Sequence, residues 1–182
     1  MTVGSRRKSV VILDYGSGNL RSAQRALERV GAAVVVTADR AAALNCDGLV
    51  VPGVGAFEAC MSGLRGIAGD EIIAERVAAQ RPVLGVCVGM QILFARGVEF
   101  GVESRGAALW PGSVTRLEAP VIPHMGWNVV DAPADSRLFA GLDADTRFLA
   151  AVEDGALSAT QFHPEKSGDA GAALLTNWVE DL

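Results

Sequence analysis

Arg81-Pro82-Val83-Leu84-Gly85-Val86-Cys87-Val88-Gly89-Met90-Gln91 is the stretch on which the reading of this chain turns. Val83 to Val86 is a short apolar run of the kind that forms a buried strand. It ends in Gly-x-Cys-x-Gly and leads into Gln91 to Ala95, which reads as helical. Strand, tight turn and helix make the grammar of a nucleophile elbow, with cysteine where related hydrolases place serine. Such a turn crowds its own backbone, and Gly85 and Gly89 supply the small residues that crowding requires. It also aims backbone N–H groups and a helix N-terminus at the sulfur, which favours thiolate. Alone, the pattern equally fits a buried structural cysteine beside two loop glycines, because short motifs recur by chance.

The chain has 182 residues, half of them hydrophobic and 5% aromatic, so Val, Ala and Leu must build the core. That length suits one domain over residues 1–182. Apolar runs alternating with amphipathic segments predict an α/β fold, an open and mostly parallel central sheet flanked by helices. A net charge of −5 argues against a nucleic-acid partner. No run approaches the roughly 18 apolar residues of a membrane span, and Val10 to Leu13 is too short for a signal-peptide core. Three cysteines at unrelated spacings make no disulfide framework, which points to a reducing, cytoplasmic location.

Working outward from the elbow, Ser9 to Leu13 predicts a first strand that ends at Asp14-Tyr15-Gly16-Ser17-Gly18-Asn19. Leu20, Ala23, Leu27 and Val30 have helical spacing, with Gly31 as the stop. Gly-Ser-Gly here falls short of a dinucleotide fingerprint. Val34 to Thr37 and Asp47 to Val51 predict two more strands, with a short helix over Ala41 to Leu44 between them. The second opens into Pro52-Gly53-Val54-Gly55-Ala56-Phe57, whose glycines could expose N–H groups to a developing oxyanion. Helices follow over Phe57 to Ala68 and Asp70 to Ala79. Beyond Arg96 the chain is rich in glycines and turn signals, with a strand over Val114 to Leu117. His124 is more readily structural than catalytic. Leu157 to Glu165 reads as a strand ending in His163-Pro164-Glu165, where a period of two puts His163 and Glu165 on one face. Ala170 to Val179 predicts a closing helix with Leu174, Leu175 and Trp178 turned inward.

Cys, His and Glu are the types needed for nucleophile, base and orienter in a cysteine version of the catalytic triad. Cys87 would attack, His163 would carry the proton, and Glu165 would hold the imidazole. The N–H groups of Val88 and of the Gly53-Val54-Gly55 loop would receive the oxyanion.

These motifs resemble those of the class I, triad-type glutamine amidotransferases, and among them most closely the glutaminase subunits of imidazole glycerol phosphate synthases. The elbow and His163-Pro164-Glu165 carry the wider resemblance. Leu13 to Asn19, Val51 to Phe57, Pro123-His124-Met125-Gly126-Trp127-Asn128 and Lys166-Ser167 carry the narrower one, in family order over nearly the whole chain. The resemblance implies a flavodoxin-like fold and hydrolysis of glutamine through a γ-glutamyl thioester on Cys87. His163 and Glu165 complete the triad, and Val54 and Val88 are the oxyanion donors. Gly53, Gln91 and Glu99 are implied as the glutamine contacts. It also implies that ammonia passes to a (β/α)8-barrel cyclase subunit, which Asn19, Trp127 and Lys166 would face. No metal or organic cofactor is implied. A glutaminase subunit of another synthase, such as one making pyridoxal phosphate, remains an alternative. So do an impaired binding subunit of the same fold and an unrelated cysteine hydrolase.

One departure stands out. After Gly141-Leu142-Asp143 the family pattern continues into a Phe-Tyr-Phe-Val-His-Ser-Tyr-like strand and a loop that contact the glutamine carboxylate. Here Ala144 to Arg147 runs directly into Phe148 to Glu153, so a strand and its loop are missing near 145–150. The expectation is a gap in the sequence rather than a loss from the fold, because losing that strand would damage both core and substrate binding.

Overall fold

The computed structural model describes residues 6–117, 133, 135–142 and 150–182. Its main sheet is built from β1 (Ser9–Leu13), β2 (Ala33–Thr37), β3 (Gly48–Gly53), β4 (Val83–Cys87), β8 (Ala151–Asp154) and β9 (Leu157–Thr160). They lie in the order β2-β1-β3-β4-β9-β8, all parallel except β8 against β9. The first five form the flavodoxin-like doubly wound order, which gathers the carboxyl ends of β1, β3, β4 and β9 along one edge, where such folds bind ligands.

Strand alternation divides the core into two layers. Val10, Ile12, Val50, Leu84 and Val86 face α1 (Leu20–Arg29) and α6 (Gly168–Glu180), packing on Leu27, Leu174, Leu175 and Trp178. Val11, Leu13, Leu49, Val51 and Val83 face α2 (Arg40–Asn45), α3 (Phe57–Gly66) and α4 (Gly69–Ala78), against Ala43, Phe57, Met61, Leu64 and Ile72. The predicted open, mostly parallel sheet flanked by helices is the observed architecture. Local signals set the helix ends. Asp39 caps α2 by accepting from the Ala42 N–H at 2.7 Å. Gly31, at φ +94°, ends α1 with Ala32 N–H on the Leu27 carbonyl and Gly31 N–H on that of Glu28.

Three local expectations are corrected. The helix after the elbow is α5, Val88–Gln91, and not Gln91 to Ala95. It stops because the returning chain takes the carbonyls that a longer helix would use. Ala107 N–H bonds to the Ile92 carbonyl at 2.8 Å, and Leu109 N–H to that of Leu93 at 2.9 Å. The backbone instead becomes β5 (Phe94–Glu99), at the centre of a second sheet with β6 (Val102–Arg105) and β7 (Trp110–Val114). The strand expected over Val114 to Leu117 is therefore β7, four residues earlier. It tolerates Pro111 because it lies at the sheet edge. Finally, β9 ends at Thr160, and Pro164–Lys166 is a 3₁₀ turn rather than a strand continuation. His124, Trp127 and the Arg147–Phe148 junction lie outside the described residues. Among the described residues, no helix is long and apolar enough to cross a membrane.

Candidate active site

Cys87 is the last residue of β4 and sits at φ +59°, ψ −118°, a conformation that a non-glycine residue holds only when its surroundings impose it. The crowding is measurable. A Cβ on Gly89 would lie 1.9 Å from the Val51 carbonyl oxygen, and one on Gly53 would lie 2.3 Å from Gly89 N. On Gly85 it would meet Leu93 at 2.9 Å and the Gly89 oxygen at 3.0 Å. The three glycines let β3, β4 and α5 close around the cysteine. Gly53 is paired with Cys87 in register across β3 and β4.

The next strand brings the imidazole. His163 follows β9, and its carbonyl is fixed by Lys166 N–H at 3.0 Å and by Ser167 Oγ at 2.7 Å. The resulting turn swings Glu165 back, so that His163 Nδ1 and Glu165 Oε1 stand 2.8 Å apart, with the Glu165 side chain nearly buried. The period-two argument thus names the right pair for the wrong reason, since a 3₁₀ turn and not an extended strand makes the contact. With Nδ1 on the carboxylate, Nε2 is the ring nitrogen left for the sulfur. The Cys87 sulfur and then the hydrogen bond with Glu165 push the His163 pKa up to about 9, against the opposing effect of burial.

The other expected residues divide. Gln91 donates from Nε2 to Gln161 Oε1 at 2.9 Å, and Gln161 Nε2 lies 3.8 Å from Cys87 Sγ. Val88 opens α5 directly after the nucleophile, where helix N–H groups have no intrahelical acceptor. Val54 differs. Its N–H is bonded to Ser17 Oγ at 3.1 Å, and Ser17 Oγ donates to the Val54 carbonyl at 3.0 Å. That carbonyl also accepts from Cys60 Sγ at 3.3 Å, and the Tyr15 hydroxyl donates to the Pro52 carbonyl. The loop is therefore held in a state in which the Val54 N–H is engaged by a side chain. Burial pushes the Tyr15 hydroxyl well above its ordinary pKa, so it remains a donor. Glu99 accepts from Phe57 N–H at 3.0 Å, capping α3, and lines a cleft of about 240 Å³ with Phe57, Phe100 and Val102. Asn19 and Lys166 are exposed, beyond the carboxyl ends of β1 and β9. Among the described residues, no group of three or more His, Cys, Asp or Glu is gathered for a metal.

Sequence reading missed Tyr15, Ser17, Cys60 and Gln161. Their partners lie at least 37 residues away, except for the Cys60–Val54 contact, and no periodicity reports such contacts.

The family model described as Glutamine amidotransferase class-I matches residues 11–143. The chain belongs to the class I glutamine amidotransferases. It is 70% identical over 203 aligned positions to the protein named imidazole glycerol phosphate synthase subunit HisH of Mycolicibacterium paratuberculosis, covering 96% of this chain and 98% of that one. Its identity to the protein of that name from Streptomyces coelicolor is 56%, over 97% of this chain and 95% of the other. Solved structures are similar at lower identity. One is a glutamine amidotransferase, with TM-score 0.69 and 17% identity over 95% of this chain and 99% of that one. The alignment to the Mycolicibacterium relative is longer than this chain. Its 203 positions take in 96% of 182 residues, about 175, which leaves about 28 positions where this amidotransferase has no residue.

Proposed function

We propose that this chain is the glutaminase subunit of an imidazole glycerol phosphate synthase and acts in histidine biosynthesis as one cytoplasmic domain. Two observations together support the reading: an imidazole held by Glu165 at 2.8 Å and raised in pKa by the neighbouring Cys87, and 70% identity to a HisH subunit. Cys87 Sγ attacks the δ-carbonyl carbon of glutamine. His163, protonated beside the sulfur, gives its proton to the departing ammonia, leaving a γ-glutamyl thioester on Cys87. His163 then takes a proton from water, whose oxygen attacks the thioester carbon and releases glutamate. Glu165 keeps the ring oriented. Val88 N–H receives the oxyanion, joined by Val54 N–H once Ser17 releases it. Gly53, Gln91 and Glu99 hold the glutamine. Ammonia passes to a (β/α)8-barrel cyclase subunit docked on the side of Asn19, Trp127 and Lys166. There it completes imidazole glycerol phosphate and aminoimidazole carboxamide ribotide.

The deciding measurement is ammonia release from glutamine, with and without the nucleotide-loaded cyclase subunit. Stimulation by the cyclase is expected, and a basal release that the cyclase leaves unchanged would assign the chain to another partner. The shortfall of about 28 positions favours a second reading, an impaired subunit that binds the cyclase without turnover. Binding with no ammonia release under any condition would select it.

Two further outcomes are expected. Ser17→Ala frees the Val54 N–H, and ammonia release by the subunit without its partner rises severalfold, within the roughly hundredfold that one oxyanion donor supplies. An unchanged basal rate would mean that Ser17 does not hold the loop back. The second concerns pH. Because the His163 pKa is raised, its imidazolium persists from the ordinary value of 6.5 up to about 9 and is lost above that. The rate should fall as pH rises through about 9. In Glu165→Gln, both this limb and the His163 ring titration seen by NMR move towards lower pH. With only two histidines in the chain, the ring signals are readily assigned.

A further inference from the structure

We propose that Gln161 is a positioning residue of the glutaminase reaction, holding the Cys87 sulfur with its amide N–H while its amide oxygen fixes the side chain of Gln91. The proposal rests on the function proposed above. Gln161 leaves β9 directly beside β4, and its backbone N–H is anchored on the Ala150 carbonyl at 2.9 Å. From there the carboxamide reaches both neighbours, Gln91 Nε2 at 2.9 Å and Cys87 Sγ at 3.8 Å.

A carboxamide has one accepting and one donating end, so its contacts are linked. If Gln91 turned its oxygen to Gln161, Gln161 would have to answer with its nitrogen and present its oxygen to the sulfur. An anionic sulfur rejects that arrangement. Negative charge on Cys87 therefore selects the orientation of both amides at once. Gln161 donates to sulfur, Gln91 donates to Gln161, and the Gln91 oxygen turns away from this pair. The state of the nucleophile and the presentation of a glutamine-contacting side chain are coupled through one residue.

Two substitutions separate the ends of the amide. Gln161→Leu removes both, whereas Gln161→Glu keeps an oxygen for Gln91 and sets a carboxylate beside the sulfur. The first readout is the pH dependence of Cys87 alkylation by iodoacetamide, mapped by peptide so that Cys46 and Cys60 are scored separately. The second is kcat and KM for glutamine in the complex with the cyclase subunit. Both variants should alkylate Cys87 roughly tenfold more slowly at neutral pH, with the midpoint moved to higher pH and furthest in Gln161→Glu. KM should rise in Gln161→Leu and stay near wild type in Gln161→Glu, while kcat falls in both. Wild-type alkylation profiles in both variants, or identical losses of kcat and KM with unmoved midpoints, would overturn the proposal. Should Gln161→Leu fail to fold, the midpoint and KM of Gln161→Glu decide alone. Alkylation requires no glutamine turnover, so an inactive wild-type complex would defeat the proposed function while leaving Gln161 decided.

Discussion

Cys87→Gly is expected to abolish glutamine hydrolysis while making the protein more stable. The nucleophile is lost, so ammonia release should fall by roughly 10⁴-fold or more. The backbone at 87 sits at φ +59°, ψ −118°, and glycine accepts that region without a Cβ penalty. Relief of about 1 kcal/mol would raise the melting temperature by about 2–4 °C for a chain of this size. Cys87→Ala should lose the same activity without the gain, because alanine retains the Cβ. Ammonia assays and thermal unfolding of the two variants test both halves. Residual hydrolysis near the wild-type rate would exclude a thioester on Cys87. Equal melting temperatures for the alanine and glycine variants would show that the elbow stores no strain.

Gly89→Ala is expected to cost both fold and function. The new methyl would lie 1.9 Å from the Val51 oxygen and 2.9 Å from its carbonyl carbon, and both are backbone atoms of the central strand β3. No rotamer relieves such a clash. Either β3 or α5 must move, and β3 carries the Gly53 that pairs with Cys87. A loss of roughly 3 kcal/mol or more is expected, with hydrolysis falling in parallel. The contrasting case is Gly66→Ala. Position 66 lies at the end of α3 with nothing within 4 Å of the added Cβ, so stability should change by no more than about 1 kcal/mol. Chemical denaturation of the two variants separates close backbone approach from a general intolerance of substituted glycines. Similar losses in both would remove the packing account of the elbow.

Much of the scaffold was legible because its signals are local. The alternation Val10-Val11-Ile12-Leu13 splits cleanly between the two core layers, since side-chain direction along a strand has a period of two. Gly31 stops α1 because it reaches positive φ at little cost. His163 and Glu165 were legible as a pair because they are two residues apart, although the turn joining them was misread as strand. The helix after the elbow was misjudged for a non-local reason. Ile92 and Leu93 suit a helix, but residues 107 to 110 return to take their carbonyls, so Phe94 begins a strand.

The sequence by itself determined where the nucleophile stands, because an apolar run ending in Gly85-Val86-Cys87-Val88-Gly89 is a local elbow pattern, whereas β3 decided that Gly89 admits no side chain, its Val51 oxygen standing 1.9 Å from a Cβ there. Only the tertiary structure decided how the groups around Cys87 are engaged. Ser17 occupies the Val54 N–H from another loop, Gln161 bridges Cys87 and Gln91 from just beyond β9, and Glu99 caps α3. Arg76 makes the same point away from the site. It is fully buried and donates to the carbonyls of Ala43, Cys46, Asp47 and Pro82. Folding brings these acceptors together, and their spacing along the chain gives no sign of a common partner. Polar contacts of this kind form between elements that meet only after the sheet has assembled, so they are set by its strand order and register rather than by any local pattern.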